Sequence, residues 1–340
     1  PSRAADVICY KNLFKYSKKP VTTWIYSDKS VDYIIEMAKE VAGGEEELAK
    51  KKLITYFAES ISPLKFSAHT LEIMIKFSKY ELPIFLGPMV TAGGSGPVTL
   101  AGSISLQNAE VLMGIVIIYL LNPNQPVVHA GLSHIMDMKT GICSYGSPEQ
   151  TLLSAGITQM AKNYGLSCCC NVHISDSNCC DFQRGYEAAA SAAFAIAAGA
   201  EMLSIYGYGP VGAVGSGVGL SLEQMLIDNE GLSYLSRIRR GFEVNKNTLA
   251  LDIIKKVGIG GNFLEEEHTL KNLRNEQWNW DLFLRQNYIS WQKEGRKDIL
   301  IRAKEKLEKI LSGNYPPESV LDDNKTKILD EIEKEAINNL

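Results

Sequence analysis

The chain has 340 residues, 22% of them charged, and a formal net charge of -4 at pH 7. That length can bury a large core within a single α/β domain, and the slight acidic balance gives no field to hold phosphate backbones, so nucleic acid is not an expected partner. The longest apolar run, Val111 to Leu121, is shorter than the roughly 20 residues of a bilayer span, so no membrane attachment is expected; seven cysteines, five of them between Cys168 and Cys180, suit a reducing compartment and a cytoplasmic location.

The sequence opens at Pro1 without an initiator Met, and a fragment is expected. A basic, aromatic-rich segment runs from Tyr10 to Lys19, and PVTTWIYSD from Pro20 reads as a strand on its β-branched and aromatic content. Ser30 begins a helix with Ile34, Ile35, Met37, Ala38 and Val41 apolar, ended by Gly43 and Gly44. Strand Lys52 to Glu59, a helix around Leu71 to Phe77, and strand Pro83 to Val90 follow. A Gly-rich loop, Gly87 to Gly102, leads into a helix from Asn108 to Leu121. The alternation then continues through strand Pro126 to Gly131, helix Pro148 to Tyr164, strand Ser167 to Ile174, helix Asp181 to Ala198 and strand Met202 to Tyr208.

Such repeated βα units require a parallel sheet, either open and doubly wound or closed as a (β/α)8 TIM barrel. Units of similar length with Ala-rich helices favour the barrel, of which about six βα units are visible and the N-terminal ones are missing. After Gly241 the pattern is helical; the expected division is a partial barrel domain over residues 1–262 and a C-terminal helical extension over 263–340.

Several motifs have bland explanations. Gly207 to Gly212 matches G-x-G-x-x-G, with Asp228 at a tempting distance, but Gly215, Gly217 and Gly219 prolong the loop to Ser221 instead of opening a helix onto a pyrophosphate. A long flexible loop over the barrel mouth accounts for them better. No P-loop signature occurs. Cys168, Cys169 and Cys170 alternate between strand faces and cannot converge on one ion, so no metal is expected and packed strand cysteines are the simpler reading. An aldolase or lyase barrel would need a Schiff-base Lys or a metal at a strand end, and neither is evident.

Glu59, Thr91, His129, His173 and Tyr206 fall just after predicted strands, where a barrel places its chemistry, and Tyr145, Asp176 and Tyr208 lie in neighbouring loops. Carboxylates and aromatic faces around one mouth suit a cation such as a quaternary ammonium; tyrosines that merely line the rim are the bland alternative.

GPVTLAG with NAEVL and PVVHAG, IMDMKTGICSYGSPE from Ile135, QMLIDNEG from Gln224, VGIGGNFLEEEHTL from Val257 and the ending WDLFLRQNYISWQKEGRKD with RAKEKLEKIL together resemble the trimethylamine methyltransferase (MttB-like) family. The resemblance runs in order along essentially the whole chain, and implies that the chain begins at a point internal to a longer family member. It further implies a (β/α)8 barrel that moves an N-methyl group from a quaternary or tertiary amine, glycine betaine-like or trimethylamine-like, to the Co(I) corrinoid (cobalamin) of a cognate partner protein, with no tightly bound cofactor of its own. The setting it suggests is methylated-amine metabolism such as methanogenesis, and a homo-oligomer is expected. No nonstandard residue is present, which favours the non-pyrrolysine members and a quaternary amine.

On that resemblance, Glu59 and Asp176 are the expected catalytic carboxylates, Tyr145, Tyr206 and Tyr208 the cation-facing aromatics, His129 and His173 ligands for a substrate carboxylate, and Gly93, Gly94 and Gly96 a low rim facing the corrinoid. The chain departs from the family pattern in SCCCNVHISDSNCCDFQ and in the glycine-rich stretch Gly207 to Gly219. A catalytically inactive barrel serving as an amine-binding or assembly subunit is the alternative.

Overall fold

The computed structural model describes residues 2–203, 211–313 and 315–340. The stretch from Tyr10, read above as a basic aromatic segment, is the second half of helix α1 (Ala5–Tyr16). Val7, Tyr10 and Phe14 recur at helical spacing on its buried face, a period that shows only when counting starts before Tyr10. Helix α2 (Ser30–Ala42) follows the expected apolar spacing and stops at Gly43, whose φ of +95° is the left-handed conformation that glycine adopts without strain. Helix α3 (Glu45–Lys51) precedes strand β1 (Tyr56–Ala58), and α4 (Ala68–Lys79) is capped by Ser67, whose side chain accepts from Thr70 N.

Strands β2 (Ile84–Leu86) and β3 (Thr91–Ala92) lead to helix α5 (Leu100–Leu121), which begins at Leu100 and not at Asn108. Its first turns hid from the hydrophobic pattern because the buried face carries Ser103, Gln107 and Glu110 while Val116, Tyr119 and Leu120 face outward. By length and composition α5 is apolar enough to cross a membrane. It packs here beside α4, with Glu110 accepting from Ser62 Oγ (2.9 Å), Leu64 N (2.9 Å) and Ser60 Oγ, and so pinning the segment after β1.

Next come β4 (Val127–Gly131), β5 (His134–Met136), β6 (Cys143–Ser144), α6 (Pro148–Asn163), β7 (Cys168–Cys170), α7 (Phe182–Ala198) and β8 (Met202–Leu203). The small hairpin β9 (Ala213–Val214) and β10 (Gly219–Leu220) precedes α8 (Leu222–Arg240). Beyond it, among the described residues, lie only helices: α9 (Lys246–Leu249), α10 (Leu251–Val257), α11 (Glu267–Glu276), α12 (Tyr288–Lys293), α13 (Ile299–Ser312) and α14 (Asp323–Asn339). Helix α13 packs on α8, whereas α14 returns to α1 and α2, where Leu329, Ile332 and Ala336 share one cluster with Val7, Tyr10 and Ile34.

The central sheet is parallel, in the order β1-β2-β4-β7-β8. A bridge between Val21 and Ile54 extends it at the β1 edge, and that bridge is all the pairing the expected strand from Pro20 makes among the described residues. Strands thus follow one another in chain order, unlike a doubly wound sheet, whose order reverses at a switch point.

Alternation divides the side chains cleanly. Tyr56, Ala58, Ile84 and Leu86 pack with α1, α2 and α4, Cys168 with α6, and Cys170 with α7. Phe57, Phe85, Ala130, Leu132 and Cys169 form a separate cluster on the opposite face. The adjacent cysteines are therefore sorted to different layers as packed residues.

Candidate functional site

The pairing of β2 with β4 continues beyond the sheet. Thr91 opposite His134 has the same offset as Ile84 opposite Val127, and Leu132 N to Pro88 O and His134 N to Val90 O bridge the interval. The face that carries Phe85 and Ala130 therefore extends past the C-terminal ends of the strands, where parallel α/β sheets place their ligands. There His134 Nδ1 donates to Leu132 O (3.0 Å), so its Nε2 accepts from Thr91 Oγ1 (2.9 Å) in a neutral ring. Burial holds the His134 pKa below the ordinary imidazole value.

Tyr145 lies against this histidine, with ring centroids 4.8 Å apart and its hydroxyl 3.6 Å from Met89 Sδ. Burial, and then the negative neighbours Cys143, Glu59 and Asp176, push its phenol up to about 12. Glu59 and Asp176 thus act on Tyr145 together. Glu59 lines a cavity of about 130 Å³ with Trp24, Tyr56 and His69.

Asp176 sits in the wall of a larger cavity of about 900 Å³, lined also by Ile135, Met136, Met138, Ile142, Val218, Asp137 and Glu149. Its carboxylate accepts from Tyr145 N (2.9 Å), Ser216 Oγ (2.7 Å) and Ser144 Oγ, which joins three loops at one point. Apolar walls, three carboxylates and no Lys or Arg among the lining residues make this a place for a cation with an apolar surface.

Gly93, Gly94 and Gly96 form a tight turn in which Gly94 N and Gly96 N both donate to Thr91 O. The space their missing side chains leave is filled from within the chain. A Cβ on Gly93 would overlap Met138, one on Gly94 would lie 3.0 Å from Met136 Cε, and one on Gly96 would overlap Val90. The turn therefore seats the two methionines of the cavity wall, and the expected vacant rim is occupied.

His129 departs from its expected position. Alternation along β4 turns it toward the helices, where it is 1% exposed with Nε2 3.4 Å from Asn108 Oδ1, and it touches neither cavity. His173, at a φ of +67°, is buried between α7 and α8, its N–H donating to Ser191 Oγ (3.0 Å) and Gly231 alongside. Tyr206 and Tyr208, with Gly207 and Gly209, fall outside the described residues.

The described part of the glycine-rich stretch is a tethered hairpin, not a long flexible loop. Gly215 N donates to Ser177 O (2.7 Å), Ser216 N to Ser175 O (2.9 Å), and Arg184 Nε to Ala213 O (2.9 Å). Asp228 is committed to the buried pair with Arg184 (2.6 Å) and accepts from Gly212 N (2.7 Å) and Gln224 Nε2 (2.7 Å), which removes the ribose role of a dinucleotide fingerprint. Glu230 likewise receives Asp281 N and Leu282 N at 2.6 and 3.1 Å, so Gln224, Asp228 and Glu230 of QMLIDNEG are internal struts. Among the described residues no cluster of His, Cys, Asp and Glu is placed to hold a metal ion.

Sequence reasoning passed over His134, Met136 and Met138. The period of two through Val128, Ala130, Leu132 and His134 was the available signal.

The described residues thus form a parallel α/β sheet with a carboxylate-bearing, apolar-walled cavity beyond its C-terminal edge. Residues 1–336 match the family model for trimethylamine methyltransferase. The chain is similar to trimethylamine methyltransferase MttB of Methanosarcina barkeri, 35% identical over 287 residues, covering 84% of this chain and 57% of the relative. It is also similar to the glycine betaine methyltransferase of Desulfitobacterium hafniense (strain Y51), 31% identical over 283 residues, covering 83% and 58%. The chain belongs to the trimethylamine methyltransferase family, and spans less than two thirds of the length of these curated relatives.

Proposed function

We propose that this chain is the methyl-transferring part of an amine methyltransferase that takes a methyl group from a quaternary or tertiary amine, glycine betaine-like or trimethylamine-like, and delivers it to a corrinoid on a partner protein. The cavity beside Asp176 carries the reading: Met136, Met138, Ile135 and Ile142 offer contact to N-methyl groups, and Asp137, Glu149 and Asp176 offer the compensating charge. The relatives' names supply the methylated-amine class. A (β/α)8 barrel is the architecture that fits, because the strands run in chain order with the helices packed on one face and an apolar cluster on the other.

Departure of a neutral amine from a quaternary nitrogen needs no proton, so the chain's work is orientation and charge. Asp176, held by three donors from two other segments, fixes the negative pole of the cavity. Tyr145 stays protonated at neutral pH and, with the neutral His134, packs the inner side of the mouth, while Glu59 adds charge from the β1 side. The exposed Met138, Ile142 and Val218 at the cavity's edge fit an apolar macrocycle presented by a docking protein. When its carrier is docked, the corrinoid supplies the methyl acceptor.

The test combines the purified chain, the reduced corrinoid carrier and a panel of betaines and methylated amines, with cobalamin absorbance as readout. Methylation with at least one amine, weakened in Asp176→Asn, is expected. No methylation with any of them would refute the reading, and amine binding without transfer would favour a binding subunit instead.

A further inference from the structure

The last turn of α8 and the end of α11 border a third cavity, open to solvent and of about 680 Å³, lined by Arg237, Arg239, Arg240, Arg274 and Trp278 together with uncharged polar residues and no Asp or Glu. Arginines at helix C-termini have an ordinary use, since each terminus carries about half a negative charge. That use does not exhaust them. The ends of α8 and α11 together account for about one charge. Glu276, 3.4 Å from Arg237 Nη2, offsets one more. Glu201 also acts on Arg239 but is committed to Lys162, and the four guanidiniums leave the cavity with a net positive charge.

The fixed members are already oriented. Arg237 donates through Nη1 to Gly241 O (2.8 Å) and through Nε and Nη2 to Glu276 O (3.1 and 2.8 Å), and Arg240 donates to Asn275 O. Backbone carbonyls, those of Asn275 and Glu276 belonging to the helix end already counted, hold these groups in place. Arg239 and Arg274 form no ion pair among the described residues, and both are exposed. Trp278, anchored by Nε1 to Ser233 Oγ (3.0 Å) and set edge-on to Tyr234, gives the cavity one rigid apolar wall.

We propose that this cavity binds a polyphosphate anion, either inorganic pyrophosphate or the phosphate chain of a nucleotide. Guanidinium forks match phosphate oxygens in pairs, and several of them arrayed around one cavity favour two linked phosphates over one. The site shares no lining residue with the amine cavity, whose carboxylates repel anions. It is therefore a separate function of the same chain.

Isothermal titration calorimetry of the purified chain at low salt tests this, with pyrophosphate, ATP, orthophosphate and uncharged adenosine in separate titrations. Micromolar binding of pyrophosphate or ATP is expected, falling steeply with added salt, with adenosine inert. Arg239→Ala and Arg274→Ala should each weaken it about tenfold or more, and Arg274→Lys less. Circular dichroism of each variant verifies its fold, and both positions are exposed. ATP bound more tightly than pyrophosphate would identify a nucleotide with its base on Trp278, and equal affinity would identify the phosphate chain alone. Absence of heat with both polyphosphates, orthophosphate bound as tightly as pyrophosphate, or undiminished binding in a folded Arg239→Ala/Arg274→Ala double variant would overturn the proposal.

Discussion

His129 separates two roles that predict different experiments, and the substitution His129→Gln tests them together. The ring is buried against α5, and burial lowers its pKa from the ordinary 6.5 to about 4. As pH falls below 6.5 the unfolded chain takes up a proton that the folded chain refuses until about pH 4. The unfolded state therefore binds more protons in that window, and stability is full above pH 6.5 and is lost on acidification. The gap between 6.5 and about 4, at about 1.36 kcal/mol per tenfold change in proton affinity, puts the loss at about 3 kcal/mol by pH 4. Gln keeps the bulk and the polar contact to Asn108 but cannot titrate. Urea unfolding midpoints at pH 7.5, 6, 5 and 4.5 should show a steep decline in the unsubstituted chain and a shallower one in His129→Gln. Buried His134 shifts in the same direction, so the slope should become shallower still in His129→Gln/His134→Gln. At pH 7 the variant should leave the KM for the amine unchanged. Identical pH profiles for the two proteins, or a KM raised tenfold at pH 7, would refute the structural role and return His129 to the substrate.

Other substitutions probe the site and its supports. Asp176→Ala should reduce the affinity for a methylated amine at least tenfold by calorimetry, because it removes both a cavity charge and the acceptor that joins three loops. Glu110→Ala strands the donors Ser60, Ser62 and Leu64 N and should cost about 2–4 kcal/mol in chemical denaturation. Asp228→Ala, which leaves Arg184 charged in the interior, should cost about 3–5 kcal/mol, whereas Arg184→Met/Asp228→Leu should cost much less than the sum of the single changes. Gly93→Ala meets both a φ of +83° and the Met138 methyl; a Met138→Ala background should recover the part of its destabilisation that comes from overlap.

The βα alternation was readable because each strand is an apolar run between helices, whereas chain-order pairing rested on the similar length of the units. Helix boundaries were readable where capping chemistry marks them, as at Ser67, Ser147 and Asp181, each of which accepts from the N–H three residues on. They were not readable in α5, where buried polar residues invert the usual pattern. Asp176 and Tyr145 were singled out from their loop positions, and the structure brings them together. His134, not His129, stands beside Tyr145, because the strand's period of two and not its end decides which face a histidine takes. The glycines of the 93–96 turn were recognised as sites of close approach, but the partner, two methionines more than forty residues downstream, is invisible in local sequence.

Helix α14 completes the cluster that begins with Val7 and Tyr10 in α1, and Lys11 reaches across to Asp330 at 2.8 Å. During synthesis the first helices therefore emerge long before the element that covers them. Their apolar face stays uncovered while the whole parallel sheet is made, the interval in which a nascent chain is most exposed to wrong partners. This end of the fold can close only once α14 has been made.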